Sequence, residues 1–275
     1  MKPFSSLLLF VVFPFALHAQ SVTFTAHPVA TGVSVERVDS LGMALDVKMD
    51  GSEEVLMTQT NKEFRHYTLT VLEADERRLT KARLDVHKAW EVGMALGGAQ
   101  FDLAIQGKSY LLTYSDTGLF VEYADGTPTP DAEGNLVRNL AGNREENALR
   151  PILEGRTMEI GDTLALRDEL LQSFLAVFGN KNMHLREATL KLIDIRMVQN
   201  MRCAVFEMHF ILAGDQSAVE MEVDMTAEGV IAEESLWPVS LVMDGVMRGS
   251  ASQQGMLLFI NGTVKGKKEE TYKRP

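Results

Sequence analysis

The sequence has a single cysteine, Cys203, among 275 residues, so the chain cannot form an internal disulfide bond. Its stability must come from the burial of apolar side chains, which make up 45% of the composition. Basic residues are also scarce, because 27 Lys and Arg stand against 38 Asp and Glu, a formal net charge of −11. An acidic surface repels phosphate backbones and anionic headgroups. Nucleic acid and anionic membrane surfaces are therefore poor candidates for partners.

The local signatures of the common enzyme classes are missing as well. The chain has no His-Glu-x-x-His helix, no Cys-x-x-Cys pair, no phosphate-binding glycine loop and no dinucleotide fingerprint. Residues 248–255, RGSASQQG, lack the Gly-x-Ser-x-Gly elbow of serine hydrolases and are typical of a loop between strands. We therefore expect a non-enzymatic protein without a cofactor. The alternative is a hydrolase whose site is assembled from scattered residues, with His209, Glu207 and Asp224 as candidates.

The one long apolar run lies at the N-terminus. It has a cation at Lys2, an apolar segment over 4–17 and a small residue at Ala19, the layout of a secretory signal peptide over 1–19. The run is shorter than the ~18 to 20 apolar residues that span a bilayer. We expect cleavage near Ala19 and an exported mature chain, periplasmic or extracellular, without a transmembrane segment.

Alternation with a period of two dominates the rest of the chain. In MALDVKM, Met43, Leu45 and Val47 point to one side while the polar residues point to the other. The same pattern predicts strands at 67–74, 80–87, 108–114, 118–124, 188–195, 203–212, 218–226, 237–245 and 255–262. Half-buried strands are typical of antiparallel sheets, so we predict a mainly β fold with one or two helices (α+β), built on one large curved antiparallel sheet. We interpret the basic tail at 265–274 as a solvated end with at most one short edge strand.

A segment rich in turn-forming and charged residues divides the chain. We interpret residues 127–150 as a connecting loop with at most one short helix. This loop separates a first β-meander half, 20–126, from a second half, 151–275. The second half contains the strongest helix candidate, an amphipathic segment at 167–179 whose apolar stripe includes Phe174.

The two halves look like copies of each other. Residues 69–88 can be superposed on 190–210 with one extra residue, which places Leu84 on Phe206 and His87 on His209. One explanation is a duplicated β-meander, packed into one large sheet or two facing sheets. The other is ordinary convergence of strand sequences.

One side of the strand CAVFEMHFIL carries polar groups. Cys203, Glu207 and His209 alternate along it, and pairing with 218–226 across AGDQS would place His209 opposite Glu220 or Glu222. Such a face could bind a divalent cation, but a solvated histidine-carboxylate pair needs no metal, so we predict none. We expect the cysteine to be an inert strand side chain rather than a nucleophile.

The other side of this strand is apolar and rich in methionine, of which the chain has 15. Flexible thioethers suit adaptable binding surfaces, and they also suit an ordinary core. The candidate ligand-binding residues on this side, together with one from the predicted helix, are Phe206, Met208, Phe210, Met221, Met225 and Phe174.

Two short motifs, MEIGDTLAL at 158–166 and TAEGVI at 226–231, accompany the signal peptide. In these features the chain resembles an uncharacterised family of exported bacterial proteins, often lipoproteins with duplicated β-meanders. The arrangement is also similar to the half-barrel of periplasmic lipoprotein carriers, where a curved sheet surrounds helices and an apolar cavity. The lipid-attachment cysteine of the lipoprotein members is absent, and no catalytic residue can be carried over. We therefore predict an exported protein that binds an apolar ligand, such as a lipid, or a protein partner in the cell envelope; a structural envelope protein is a further hypothesis.

Overall fold

The computed structural model of the chain describes residues 21–27, 30–75, 78–93, 98–115, 117–141, 149–166, 184–216, 219–253 and 256–274. The predicted signal peptide at 1–19 and the predicted helix at 167–179 lie outside these residues.

The strands of the described chain alternate with two helices. They are β1 (Ser21–Thr23), β2 (Ser34–Met49), β3 (Val55–Ala74), β4 (Leu79–Val92), β5 (Gln100–Asp102), β6 (Ser109–Ser115), β7 (Gly118–Tyr123), β8 (Thr157–Glu159), β9 (Thr163–Leu166), β10 (His184–Val198), β11 (Met201–Gln216), β12 (Val219–Ala232), β13 (Pro238–Gln253) and β14 (Met256–Lys273). The helices are α1 (Asp131–Ala141) and α2 (Arg150–Leu153).

Twelve of these strands form one antiparallel sheet, which confirms the predicted fold class. The strand order is β7-β6-β4-β3-β2-β14-β13-β12-β11-β10-β9, with β5 paired to β4, while β1 and β8 form a separate two-stranded sheet. Every strand predicted from the alternation is present. The strands β2 and β14 pair in the middle, so the two predicted halves share one continuous sheet.

The prediction of a solvated C-terminal tail is wrong. Residues 265–273 belong to β14, which pairs with β13 on one side and β2 on the other. The loop predicted at 248–255 is also wrong over 248–253, which extend β13. Gly249 and Gly266 obscured the alternation, since glycine has low strand propensity in isolation but is tolerated where neighbouring strands supply the packing.

Alternation of side chains gives the large sheet two distinct faces. The apolar face carries Leu84 of β4 and Phe206 of β11, and the polar face carries His66 of β3 and His209 of β11. Both large hydrophobic cores lie on the apolar face, one over each end of the sheet.

The first core lies over β3, β4 and β6 and is covered by α1. Its buried residues include Tyr67, Leu69, Leu84, Tyr110, Leu112, Val137 and Ala141. The helix α1 lies inside the predicted connecting loop and has acidic residues in its first turn and Arg138 in its last, as the helix dipole favours.

The second core lies over β10, β11 and β12. It is covered by β1, β8 and α2, through residues that include Val22, Phe24, Ile152, Leu153 and Met158. The rings of Phe24 and Phe206 stack with centroids 5.9 Å apart. Residues near the start of the described chain therefore pack on the second half of the sheet.

Candidate functional site

Between the two cores, the apolar face remains accessible along the central strands. We define the central strip as Leu41, Met43, Leu45, Val47 and Met49 of β2 with Ile260 of β14, which lies opposite Val47. Leu41 is 37% exposed and Met49 is 40% exposed. Met43 and Leu45 also contact the second core, so the strip continues that core into solvent. From Leu41 to Met49 it extends about 27 Å along the strand.

Glycines beside the strip let long side chains lie flat on the sheet. A Cβ atom added to Gly245 would lie 2.6 Å from Cγ of Met225, and one added to Gly266 would lie 2.7 Å from Cγ of Met243. Likewise, a Cβ atom added to Gly262 would lie 2.5 Å from Cδ2 of Leu45. The apolar layer is therefore thin and made largely of flexible thioethers, which adapt their shape to a neighbouring group.

A charged cluster ends the strip. Glu270 is only 1% exposed and lies opposite Arg37 in the sheet. Nη1 of Arg37 is 3.7 Å from Oε1 of Glu270, and Nε of Arg37 donates a hydrogen bond to Asp39. Lys268 Nζ is 3.2 Å from the carboxylate of Glu270, and the hydroxyl of Tyr272 donates to it at 2.5 Å. The apolar strip thus meets two partly buried cations and two carboxylates at one end.

The ligand-binding residues predicted from the sequence lie mostly in the second core. Phe206, Met208, Phe210 and Met225 are at most 4% exposed, whereas Met221 is partly exposed. Phe174 lies outside the described residues. Their role in ligand binding stays a prediction.

Sequence reasoning missed the accessible part of the apolar face. The alternation of MALDVKM marked β2 as a strand with one dry side, but its neighbour β14 comes from the other end of the described chain. That pairing leaves no trace in the local sequence.

On the polar face, the structure brings together two of the three candidate hydrolase residues. Nε2 of His209 lies 2.8 Å from Oδ1 of Asp224, and these side chains are 39% and 52% exposed. Glu207 is exposed on the same face, opposite Glu228. These groups therefore occupy an open sheet surface.

The predicted register of His209 is wrong. This residue lies opposite Thr226, while Glu220 and Glu222 lie opposite Asp215 and Ala213. Both strands continue through the predicted AGDQS turn, so the hairpin closes later and every pair shifts.

Cys203 is fully buried and packs with Val205, Val230, Ala232 and Val239. Burial raises the pKa of its thiol. Its environment is that of an unreactive strand side chain.

A second histidine group lies on the polar face. The rings of His66 and His87 have centroids 4.8 Å apart, and Nε2 of His66 lies 2.9 Å from Glu36. Hydrogen bonds from Lys273, at 2.7 Å, and from His66 lower the pKa of Glu36 to about 2. Within the ranges given above, no three His, Cys, Asp or Glu side chains are placed to hold a metal ion.

The proposed duplication can be compared with the two hairpins. In the hairpin of β3 and β4 the strand pairing shifts register after Val71, and in the hairpin of β10 and β11 it shifts after Leu192. Leu69 pairs with Leu84, however, whereas Leu190 pairs with Met208 rather than with Phe206. The second strand is thus offset by two residues from the superposition, and the duplication stays a prediction.

Neither α1 nor α2, the helices of the described residues, is long and apolar enough to cross a membrane.

No protein-family model and no curated protein matches the chain. Among solved structures, it is similar to lipovitellin, in a structure of lipid-protein interactions, with 9% identity and a TM-score of 0.43 over 90% of this chain and 26% of that chain. The chain thus spans about a quarter of the lipovitellin chain.

Two further solved structures have weaker likenesses. An outer-membrane channel from Pseudomonas putida F1 has 7% identity and a TM-score of 0.20, over 87% of this chain and 97% of that chain. A mutant porin of Rh. blastica has 8% identity and a TM-score of 0.20, over 87% of this chain and 100% of that chain. All three TM-scores lie below 0.5, so none of these likenesses assigns a family or a function to this chain.

Proposed function

We propose that the chain is an exported, non-enzymatic binding protein that holds an amphiphile, a molecule with an apolar tail and a polar head, on its central strip. The observation that carries this proposal is the run of accessible apolar side chains on β2, which ends at the charged cluster around Glu270. An apolar tail fits the strip, and a polar head fits the cluster.

Burial of the strip supplies the affinity for the tail. Leu41 and Met49 are each about two-fifths exposed, so covering either one contributes about 1 kcal/mol. Met57 of β3, opposite Val47 and 42% exposed, widens the surface. The flat methionines can adjust to tails of different shape.

The cluster supplies donors for the head. The side chains of Arg37 and Lys268 are 21% and 15% exposed, so water screens them less than a surface cation. Lys268 lies opposite Asp39, two residues from Leu41 and thus about 7 Å along the strand. A head group at this distance can reach the cations while its tail follows β2.

Native mass spectrometry of the chain purified from an exporting cell would reveal a bound amphiphile. Titration of the delipidated protein with a fluorescent fatty acid then measures the affinity. Val47→Glu places a carboxylate under the tail and should weaken binding at least ~10-fold, because an unpaired charge is costly to bury. The matched control Val246→Glu, on the polar face, should leave the affinity unchanged. Equal affinities of both variants would contradict the proposal.

The pair of His209 and Asp224 supports a second candidate function, a hydrolase. A carboxylate that orients an imidazole is the arrangement in which histidine acts as a general base. If screening with ester and amide substrates finds an activity, His209→Gln should abolish it, while Val47→Glu should not. An activity that survives His209→Gln would exclude this candidate.

A further inference from the structure

The central strip has a polar border on the side of β3. Three polar side chains of β3 each lie directly opposite a strip residue of β2; the pairs are Gln59 with Leu45, Asn61 with Met43, and Glu63 with Leu41. Residues that pair directly across two strands project from the same face of the sheet. We define these three residues of β3 as the polar border. Successive members are about 7 Å apart, so the border follows the strip for about 13 Å.

The two sides of the strip differ in chemistry. On the side of β14, the same three strip residues pair with Gly262, Val264 and Gly266, which carry no polar side chain. On the side of β3, polar groups continue toward the charged cluster, because Arg65 donates to Glu63 at 3.4 Å and lies opposite Asp39. In the other direction the polar border ends at Met57. Polar groups therefore follow one side of the strip, from the cluster to its middle.

The two amides of the polar border keep hydrogen-bonding groups for a ligand. Nε2 of Gln59 lies 3.5 Å from Oδ1 of Asn61, which is longer than the about 2.7–3.2 Å of an ordinary N–H···O bond. Within the described ranges, Nδ2 of Asn61 and Oε1 of Gln59 have no protein partner. One is a donor and the other an acceptor, and a hydroxyl group can bond with either.

These amides distinguish one kind of tail from another. A plain hydrocarbon tail that covers the strip also removes water from Gln59 and Asn61, and an amide that loses its hydrogen bonds in this way costs free energy. A hydroxyl group on the side of the tail next to β3 replaces that water. Its place is the middle of the tail, because the charged cluster takes the head and Met57 borders the far end of the strip.

We infer, on the basis of the proposed function, that the ligand of the central strip is an amphiphile with at least one hydroxyl group on one side of the middle of its apolar tail. Gln59 and Asn61 determine this specificity. The apolar strip binds any tail of suitable length, and the two amides favour a hydroxylated tail over a plain one.

The test compares stearic acid with stearic acid that bears a hydroxyl group in the middle of its chain. Each acid displaces the fluorescent fatty acid from the delipidated full chain. The native chain should bind the hydroxylated acid roughly 2- to 12-fold more tightly, which is the gain from one net hydrogen bond. The double variant Gln59→Met with Asn61→Leu nearly keeps the side-chain volumes. It should lose this preference and bind stearic acid at least as tightly as the native chain.

The matched control is Thr60→Val, which removes a hydroxyl group between the two amides but on the polar face, opposite Ala44. It should leave both affinities unchanged. Equal affinities of the native chain for the two acids would overturn the inferred specificity while the proposed function stands, because stearic acid alone measures binding to the strip. A preference that survives the double variant would overturn it as well. A native chain that binds neither acid would overturn the proposed function and the specificity together.

Discussion

Replacement of Glu133 by Gln is expected to weaken the attachment of α1 to the sheet. Glu133 is 6% exposed, and its carboxylate accepts hydrogen bonds from the hydroxyl of Tyr110 and from Nζ of Lys108, both at 2.6 Å. Burial alone would raise the pKa of Glu133, but the bonds from Lys108 and Tyr110 outweigh burial and hold the pKa below its ordinary value. The carboxylate therefore stays charged within the first core.

The expected loss follows from the bond to Tyr110, whose side chain is fully buried. A hydrogen bond to a charged group contributes about 1.5–3 kcal/mol and a neutral one about 1 kcal/mol. The Lys108 side chain is 39% exposed, so water replaces much of its bond. We expect Glu133→Gln to lower the free energy of unfolding by about 1–2 kcal/mol, which corresponds to roughly 2–8 °C in Tm for a chain of this size.

Urea unfolding at neutral pH, followed by circular dichroism, measures this loss. The control Glu122→Gln, at an exposed position on β7, should change stability by less than ~0.5 kcal/mol. Tyr110→Phe and the double variant complete a cycle that should show a coupling of about 1 kcal/mol. Because the native pKa is lowered, the stabilisation is complete above the unfolded pKa near 4.5 and is lost as pH falls, so native and variant should converge in acid. A loss at neutral pH as small as that of Glu122→Gln, or strict additivity, would refute the reasoning.

Three further outcomes are expected. Gly245→Ala should lower the free energy of unfolding by about 1–3 kcal/mol, because the added methyl group would lie 2.6 Å from the side chain of Met225. The control Gly42→Ala, whose methyl group would have its nearest atom at 3.9 Å, should be neutral or stabilising; thermal unfolding measures both variants. Glu36, with a pKa lowered to about 2, stabilises the fold fully above pH 4.5 and loses this effect toward pH 2, so Glu36→Gln should flatten that part of the pH-stability curve; an unchanged curve would exclude this role. Cys203 should react with a thiol reagent only after unfolding, and rapid labelling of the native protein would contradict its burial.

The strands were predictable because their burial alternates locally. The pattern at 118–124 predicts β7 to within one residue of its observed range, Gly118–Tyr123. The tail at 265–274 shows the limit of this reasoning, since its lysines suggest a solvated end while its backbone pairs on both sides. Pairing between distant segments decides such a strand, and local propensity does not contain that information.

The sequence predicted which side of the sheet carries the candidate site, but it did not predict which residues on that side are accessible. Period-two alternation assigns Met43, Leu45 and Val47 to a dry side, but their exposure depends on which elements cover the sheet. For the same reason Phe206 and Met208, the chosen ligand-binding residues, are core residues beneath β1 and α2. The contact of His209 with Asp224 depended on the strand register. His209 lies opposite Thr226, four residues beyond Glu222, the nearer of its two expected partners, because both strands continue through the expected turn.

The seam between β2 and β14 has a consequence for folding. These strands stand at opposite ends of the described chain yet form the middle of its sheet, so their contacts have the greatest separation in sequence and should form slowly. Until the seam closes, β2 and β14 each present a long unpaired edge that can pair with other chains. A chain that folds on this path is exposed to aggregation during its maturation, and a chaperone that shields either edge should raise the yield of native protein.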